Sequence, residues 1–257
     1  MQLGGELMTL RIYRLLKVMI ADKLLSLVQE GKVICDLVKA VLEGGLPEGA
    51  TRGNKYQAGW LREVVETENP DTNTPRLRAA LSLADRVLPS KWADVSAGRA
   101  AKLQTFYTLW DHAEDAKKRL GGKIPGIDPN SAREPFVLAP KQIAQLLDQA
   151  EIPHTLKDAK ALEVRLTVEQ MEAAIRKVVW EAVKIAEGAL QRLPEKETLD
   201  WLILSGQSCN LNLVDHVIRQ AFQASERFVW NPERVTFLPE YAKLSTAIGA
   251  GYAENQR

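Results

Sequence analysis

The succession that most narrows the fold lies between Leu199 and Leu238. An apolar run, "LDWLILS", breaks at "GQS" and continues as "CNLNLVDHVIRQAF", whose apolar residues recur at helical spacing. "RVTFL" then returns to a strand pattern. A strand (199 to 204), a turn, a helix (209 to 224), a second strand (234 to 238) and a last helix from Glu240 to about Tyr252 predict parallel pairing through a right-handed crossover. Two strands are few for a parallel sheet, which is normally flanked by more strands and covered on both faces.

The rest of the chain reads as mostly helical. The N-terminal run "LRIYRLLKVMIADKLLSLV" spaces Arg11, Arg14 and Lys17 three residues apart, which predicts an amphipathic helix with those cations on its wet side. The same cations argue against a signal peptide or a membrane span. Residues 42 to 54 and 68 to 75 read as loops, with a short helix, "YQAGWLREVVE", between them. "TPRLRAALSLADRVLP", "GRAAKLQTFYTLWDHAEDAKKRLGG" and "PKQIAQLLDQAE" follow as helices, with "PFVLA" a short strand in a loop-rich segment. "EVRL" alternates as an edge strand does, and Thr167 with Gln170 matches a capping box ahead of a long helix through Met171, Ile175, Val178 and Val179.

Composition limits the partners. Of 257 residues, 46% are hydrophobic and 26% charged, as in a soluble protein with a sizeable core. Thirty-four Lys and Arg against 33 Asp and Glu leave a net charge of +1, so no overall field favours nucleic acid or an acidic membrane. Cys35 and Cys209 stand far apart with no CxxC or histidine set, which fits a reducing cytoplasm and gives no zinc motif. His112, His154 and His216 join no triad or metal constellation.

Three local motifs are ambiguous on their own. In "SGQS", Gly206 permits close backbone approach at a strand's carboxyl edge, where phosphates bind, but strand-to-helix turns need such residues for steric reasons alone. "LGGEL" places Gly4 and Gly5 before a helix and Glu6 in its first turn, which is equally good capping. Glu114, Lys117 and Lys118 share one helical face, by default a solvated ion-pair face.

The order of the pieces is more informative. "LGGEL", "AEDAKKRL", "LTVEQMEAAI", "LDWLILSGQSCNLNLV" and "LPEYAKLSTAIGAGY" together resemble the second lobe of DnaK-type heat-shock chaperone ATPases, within the actin-like ATPase superfamily. The resemblance is collinear, strongest from Leu166 to Tyr252 and at residues 3 to 6 and 114 to 120, and weak between about 30 and 100. It implies an α/β, actin-like ATPase (ribonuclease H-like) half-domain. Residues 1–30 and 166–257 would form an inner α/β subdomain, with 31–165 an inserted, mostly helical outer subdomain.

It also implies adenine nucleotide, ATP or ADP, as the ligand. The counterparts of Gly4, Gly5 and Glu6 lie by the phosphates and ribose, and those of Glu114, Lys117 and Lys118 face the adenosine. Gly206, Gln207, Ser208, Asn210 and Leu211 would close under the nucleotide, and Glu240 would complete the pocket's edge. Departures accompany the match: Gln207 stands where the family has glycine, Asn210 where it has an adenine-stacking arginine, and Gly121 where it often has serine.

The family's first lobe, with its phosphate-loop Asp and phosphate-facing Lys, has no counterpart in these residues, nor does the second lobe's Asp-Gly-Gly hairpin. Phosphoryl transfer depends on those parts, so no hydrolysis is expected from this chain alone, and magnesium only in a complete two-lobed protein. The resemblance thus implies the C-terminal half of a longer chaperone-related ATPase, cytoplasmic, whose partner is the missing lobe or another protein. Two other readings stand beside it: a degenerate protein-binding module that keeps the fold without the nucleotide, and a sugar or acid kinase of the same superfamily.

Overall fold

The computed structural model describes residues 4–68, 72–91, 98–123, 132–157, 159–194, 198–199, 201–226, 228–229 and 231–237. They form an α/β protein, mostly helical, with small sheets. The chain resolves into two compact units, the larger holding Thr9–Leu120 and Arg133–Ala174, the smaller Met1–Met8, Gly121–Ala132 and Ile175–Arg257.

In the larger unit the principal helix is α1 (Gly5–Gln29), which enters it at Thr9. Ile12, Leu15, Leu16, Val18, Ile20, Ala21, Leu24 and Leu25 are all at most 1% exposed. A helix apolar on nearly every side is a core helix, and each such Leu or Ile contributes roughly 1.5–3 kcal/mol of burial. The expected wet side is therefore corrected: Arg11 and Lys17 are only 8% and 5% exposed, while Arg14 is half-buried.

Strand β1 (Val33–Ile34) leads into α2 (Asp36–Glu43). Strands β2 (Thr51–Arg52) and β3 (Lys55–Tyr56) form a small hairpin that begins in the expected loop and takes Tyr56 from the expected helix, with Gly53 at φ 62° in its two-residue turn. Helix α3 (Trp60–Thr67) begins after Gly59, whose N–H donates to both carboxylate oxygens of Asp22 on α1 at 2.9 Å. Tyr56 Oη donates to the same carboxylate at 2.5 Å.

Helix α4 (Pro75–Val87), expected from its apolar spacing, packs against α2 and α3; Thr74 Oγ1 accepts the Leu77 N–H at 3.1 Å, and proline takes the first helical position. Helix α5 (Arg99–Gly121) follows.

Strand β4 (Phe136–Leu138) precedes α6 (Pro140–Gln149). Strand β5 (Thr155–Leu156) pairs antiparallel with β1, and β6 (Val164–Leu166) pairs antiparallel with β4 in the register Phe136 to Leu166 and Leu138 to Val164. Val164 and Leu166 are buried and Arg165 exposed, the alternation expected of "EVRL". Helix α7 (Val168–Leu190) opens on the expected capping box, with Gln170 N donating to Thr167 Oγ1 at 3.3 Å and Thr167 N to Gln170 Oε1 at 3.2 Å.

The smaller unit takes the rest of α7 and the strand–helix–strand succession. Strand β7 (Leu202–Leu204) is shorter than expected and pairs with β8 (Val235–Phe237) in parallel, as the crossover predicts, in the register Leu202 to Val235. Between them a 3₁₀ turn, Gln207–Asn210, precedes α8 (Asn212–Gln223). Val214, Val217 and Phe222 of α8, Val178 and Val183 of α7, and Phe228 are buried in this unit. The expected helix from Glu240 lies outside the described residues.

Candidate functional site

In the smaller unit the chain leaves the carboxyl end of β7 through Gly206, at φ 95° and ψ 150°. That backbone region is held almost only by glycine, so steric need alone accounts for the residue type. A Cβ built there meets no atom within 4 Å, so the constraint is conformational and not one of space. The Cys209 N–H donates to the Gly206 carbonyl at 3.1 Å, and Cys209 Sγ donates to the Ser205 carbonyl at 3.1 Å, closing the turn.

The turn is held from the side by the segment that follows α5. Lys123 N–H donates to the Asn210 carbonyl at 2.8 Å, and Gly122 bridges to Leu211. Lys123 Nζ lies 3.1 Å from Asp215 in the first turn of α8, and Arg219 Nε donates to that carboxylate at 2.9 Å. Burial opposes ionisation of Asp215, but the Arg219 and Lys123 cations outweigh it and hold the carboxyl below the usual range. Gln207 and Asn210 are exposed and Ser208 half-buried, while Leu211 is 4% exposed and belongs to the core. Gly4 precedes α1 and Gly5 begins it, with the exposed Glu6 in its first turn.

In the larger unit, the acid and two bases of α5 are not equivalent. Lys117 Nζ donates to Glu114 Oε1 at 2.6 Å and to Thr9 Oγ1 of α1 at 2.6 Å, and the Thr9 hydroxyl donates to Glu114 Oε1. The side chain of Lys117 is 11% exposed, that of Glu114 27% and that of Lys118 71%, with Lys118 Nζ 3.9 Å from Glu114 Oε2. The expected solvated face holds for Lys118, but Glu114 and Lys117 form a largely buried network tied to a residue 105 positions earlier. Burial works to raise the Glu114 carboxyl, but the Lys117 and Thr9 hydrogen bonds and the Lys118 charge hold it below its ordinary value. A ligand can reach Glu114, a hydrogen-bond acceptor, and Lys118, a donor, the pair of functions that a vicinal diol satisfies.

Thr9, Lys123 and Asp215 are the residues that sequence patterns missed. Asp215 with Arg219 carries a local i, i+4 signal; Thr9 and Lys123 carry none, since their partners are brought to them by tertiary structure. Glu240 lies outside the described residues. No helix among the described residues is long and apolar enough to cross a membrane. Comparison with protein-family models, with curated proteins and with solved structures found no match.

Proposed function

We propose that this chain is the nucleotide-binding half-module of an actin-like, chaperone-related ATPase of the cytoplasm, taking ADP or ATP and unable to hydrolyse it alone. The observation that carries the proposal is the β7–Gly206–α8–β8 unit, in which a glycine-only backbone turn sits at the carboxyl end of a parallel strand pair. Open α/β sheets bind their ligands at that edge. Glu114 and Lys118 are assigned to the ribose, with Lys117 orienting Glu114 from its buried position. The resemblance extends the proposal to Gly4, Gly5, Glu6, Gln207, Ser208, Asn210 and Glu240 as further nucleotide contacts. Magnesium and catalysis are assigned to a first lobe supplied by further chain or by a partner.

Isothermal titration of the chain with ADP and ATP, with and without magnesium, tests this. Gly206 is a poor place for an obstructing side chain, because any residue but glycine is strained at φ 95°. Gln207→Trp obstructs the same turn from an exposed position. Saturable binding lost in a folded Gln207→Trp variant supports the proposal. Absence of binding by the folded wild type defeats it and favours the second reading, a protein-binding module. That reading draws on Ile203, Trp201 and Val229 of the smaller unit, which are 65%, 55% and 53% exposed.

A further inference from the structure

A cavity of about 400 Å³ opens in the larger unit between α1, the α4 end and α5, within the size range of small-molecule sites. Its floor is polar and buried: Tyr13, Lys17 and Ser90 are 5%, 5% and 1% exposed. Lys17 Nζ donates to Asp85 and, at 2.7 Å, to Ser90 Oγ, while the Tyr13 and Ser90 hydroxyls share one hydrogen bond at 2.5 Å.

Counting hydrogens gives the floor its character. The two hydroxyls hold two hydrogens and use one between them, and the Lys17 ammonium holds three and gives two. One hydroxyl hydrogen and one ammonium hydrogen are left without an acceptor among the described residues. Asp85, the one carboxylate among the described residues of the lining, is already shared by Lys17 and the exposed Lys91. Two ammonium groups of the lining, those of Lys17 and Lys91, thus draw on this single carboxylate. The walls are apolar, formed by Val18, Leu81 and Phe106 among others, with Phe106 stacked on Trp110 at 5.6 Å.

We infer that this cavity binds a small amphipathic carboxylate, its two oxygens accepting from the Lys17 ammonium and the Tyr13–Ser90 hydroxyl pair and its apolar body lying against Leu81 and Phe106. Two donors at one end of an apolar pocket match a carboxylate's two acceptor oxygens, and the two ammonium groups that share Asp85 match its charge. Burial pulls the Lys17 pKa below that of an ordinary lysine, with Asp85 opposing, so a second carboxylate acts in the direction of Asp85 and favours the ammonium. The site is separate from Glu114 and Lys118 and independent of whether adenine nucleotide binds.

The probes are octanoate and octan-1-ol, which share an apolar chain and differ in the charged head. Each is titrated into the isotope-labelled full chain while the amide resonances of Tyr13, Leu81 and Ser90 are followed. Octanoate is expected to shift these resonances saturably, with octanol at least about ten-fold weaker, the ratio typical of hydrogen bonds to a charged group. Tyr13→Phe keeps the ring and should weaken octanoate about ten-fold while leaving octanol unchanged. Lys91→Ala, at a position 77% exposed and safe for folding, should weaken octanoate about two- to three-fold. Leu81→Trp should abolish both. Equal affinity for the two probes, shifts elsewhere but not at Tyr13 and Ser90, or octanoate binding untouched in Tyr13→Phe and Lys91→Ala would each overturn the inference.

Discussion

Replacing Thr9 by valine removes one hydroxyl from the centre of the Glu114–Lys117 network and keeps the branched shape of the side chain. Thr9 is fully buried, accepts from Lys117 Nζ at 2.6 Å and donates to Glu114. Hydrogen bonds to charged groups contribute about 1.5–3 kcal/mol each. The Lys117 bond counts nearly in full, because that side chain is 11% exposed and water cannot readily replace the lost acceptor. The Glu114 bond is discounted, since its carboxylate is 27% exposed and rehydrates. Against this, the added methyl returns roughly 0.8 kcal/mol of apolar burial. The net expectation is a loss of about 2 kcal/mol, or about a 30-fold rise in the opening equilibrium of α5.

Native-state hydrogen exchange of the α5 amides around Glu114 measures that opening directly. Thr9→Ser, which keeps the hydroxyl, should stay within about 1 kcal/mol of wild type. The pH dependence supplies a second check. A carboxyl held below its ordinary value stabilises the fold fully above the unfolded-state pKa and loses that contribution as pH falls through the lower folded-state value. The wild-type advantage over Thr9→Val should therefore shrink on acidification below the ordinary glutamate range. A loss under about 0.5 kcal/mol, far below the usual value of such bonds, or a gap that stays constant down to acid pH, would refute the reasoning.

Gly206→Ala should cost about 1–3 kcal/mol, since alanine cannot relax at φ 95° and ψ 150°; unchanged exchange protection in α8 would contradict this. Asp215→Asn should cost about 1–2 kcal/mol by removing a carboxylate shared by two cations. Because that carboxyl is held below its ordinary value, the difference from wild type should fade as pH drops through its folded-state pKa, as a pH series of α8 exchange would show. Asp22→Ala leaves the Tyr56 hydroxyl and the Gly59 N–H at the start of α3 without their acceptor and should cost about 2–4 kcal/mol. The buried Trp60, first residue of α3, reports that loss by a red-shifted fluorescence. Asp85→Leu alone strands the Lys17 ammonium and should cost about 3 kcal/mol or more, whereas Lys17→Met with Asp85→Leu should recover most of it. Thermal unfolding of the single and double variants decides this, and equal destabilisation in both would refute it.

What was legible in the sequence was local. Helices α4, α6 and α7 were readable because their apolar spacing is a local signal, joined in α7 by the Thr167–Gln170 capping box within one turn of its start. The parallel pairing of β7 with β8 followed from a short strand–helix–strand succession. Strands β1, β2, β3 and β5 were not readable, because two residues show no alternation and their pairing is imposed from outside. The spacing of Arg11, Arg14 and Lys17 suggested a solvated side of α1, but Lys17 meets Asp85 and Ser90, 68 and 73 residues away, and periodicity carries no sign of such partners. The Glu114 site was half legible in the same sense: the i, i+3 spacing to Lys117 is in the sequence, and Thr9 is not. Gly206 was legible as a turn residue, and its glycine-only conformation is compatible with both the steric and the ligand-binding explanation.

Thr9, Tyr13 and Lys17 stand four residues apart on α1 and so share one face of a helix that is otherwise apolar almost all round. Each carries a polar tip into the larger unit: Thr9 to Glu114 and Lys117, Tyr13 to Ser90, and Lys17 to Ser90 and Asp85. Burying such groups is a poor route to stability, since well-packed apolar side chains of similar volume do as well or better. A stripe of polar tips therefore asks for a second reason, and it has two forms with different consequences. An apolar helix surface tolerates rotation about its axis, whereas fixed donors and acceptors do not, so the stripe pins the register of α1 against α4 and α5. Alternatively, the stripe supplies the polar ends of ligand sites, with the Thr9 step beneath Glu114 and the Tyr13–Lys17 step on the floor of the cavity. The Lys17→Met/Asp85→Leu pair separates them. A variant that keeps a single set of sharp amide resonances while losing octanoate assigns that step of the stripe to the ligand, and one that broadens into several packings assigns it to register.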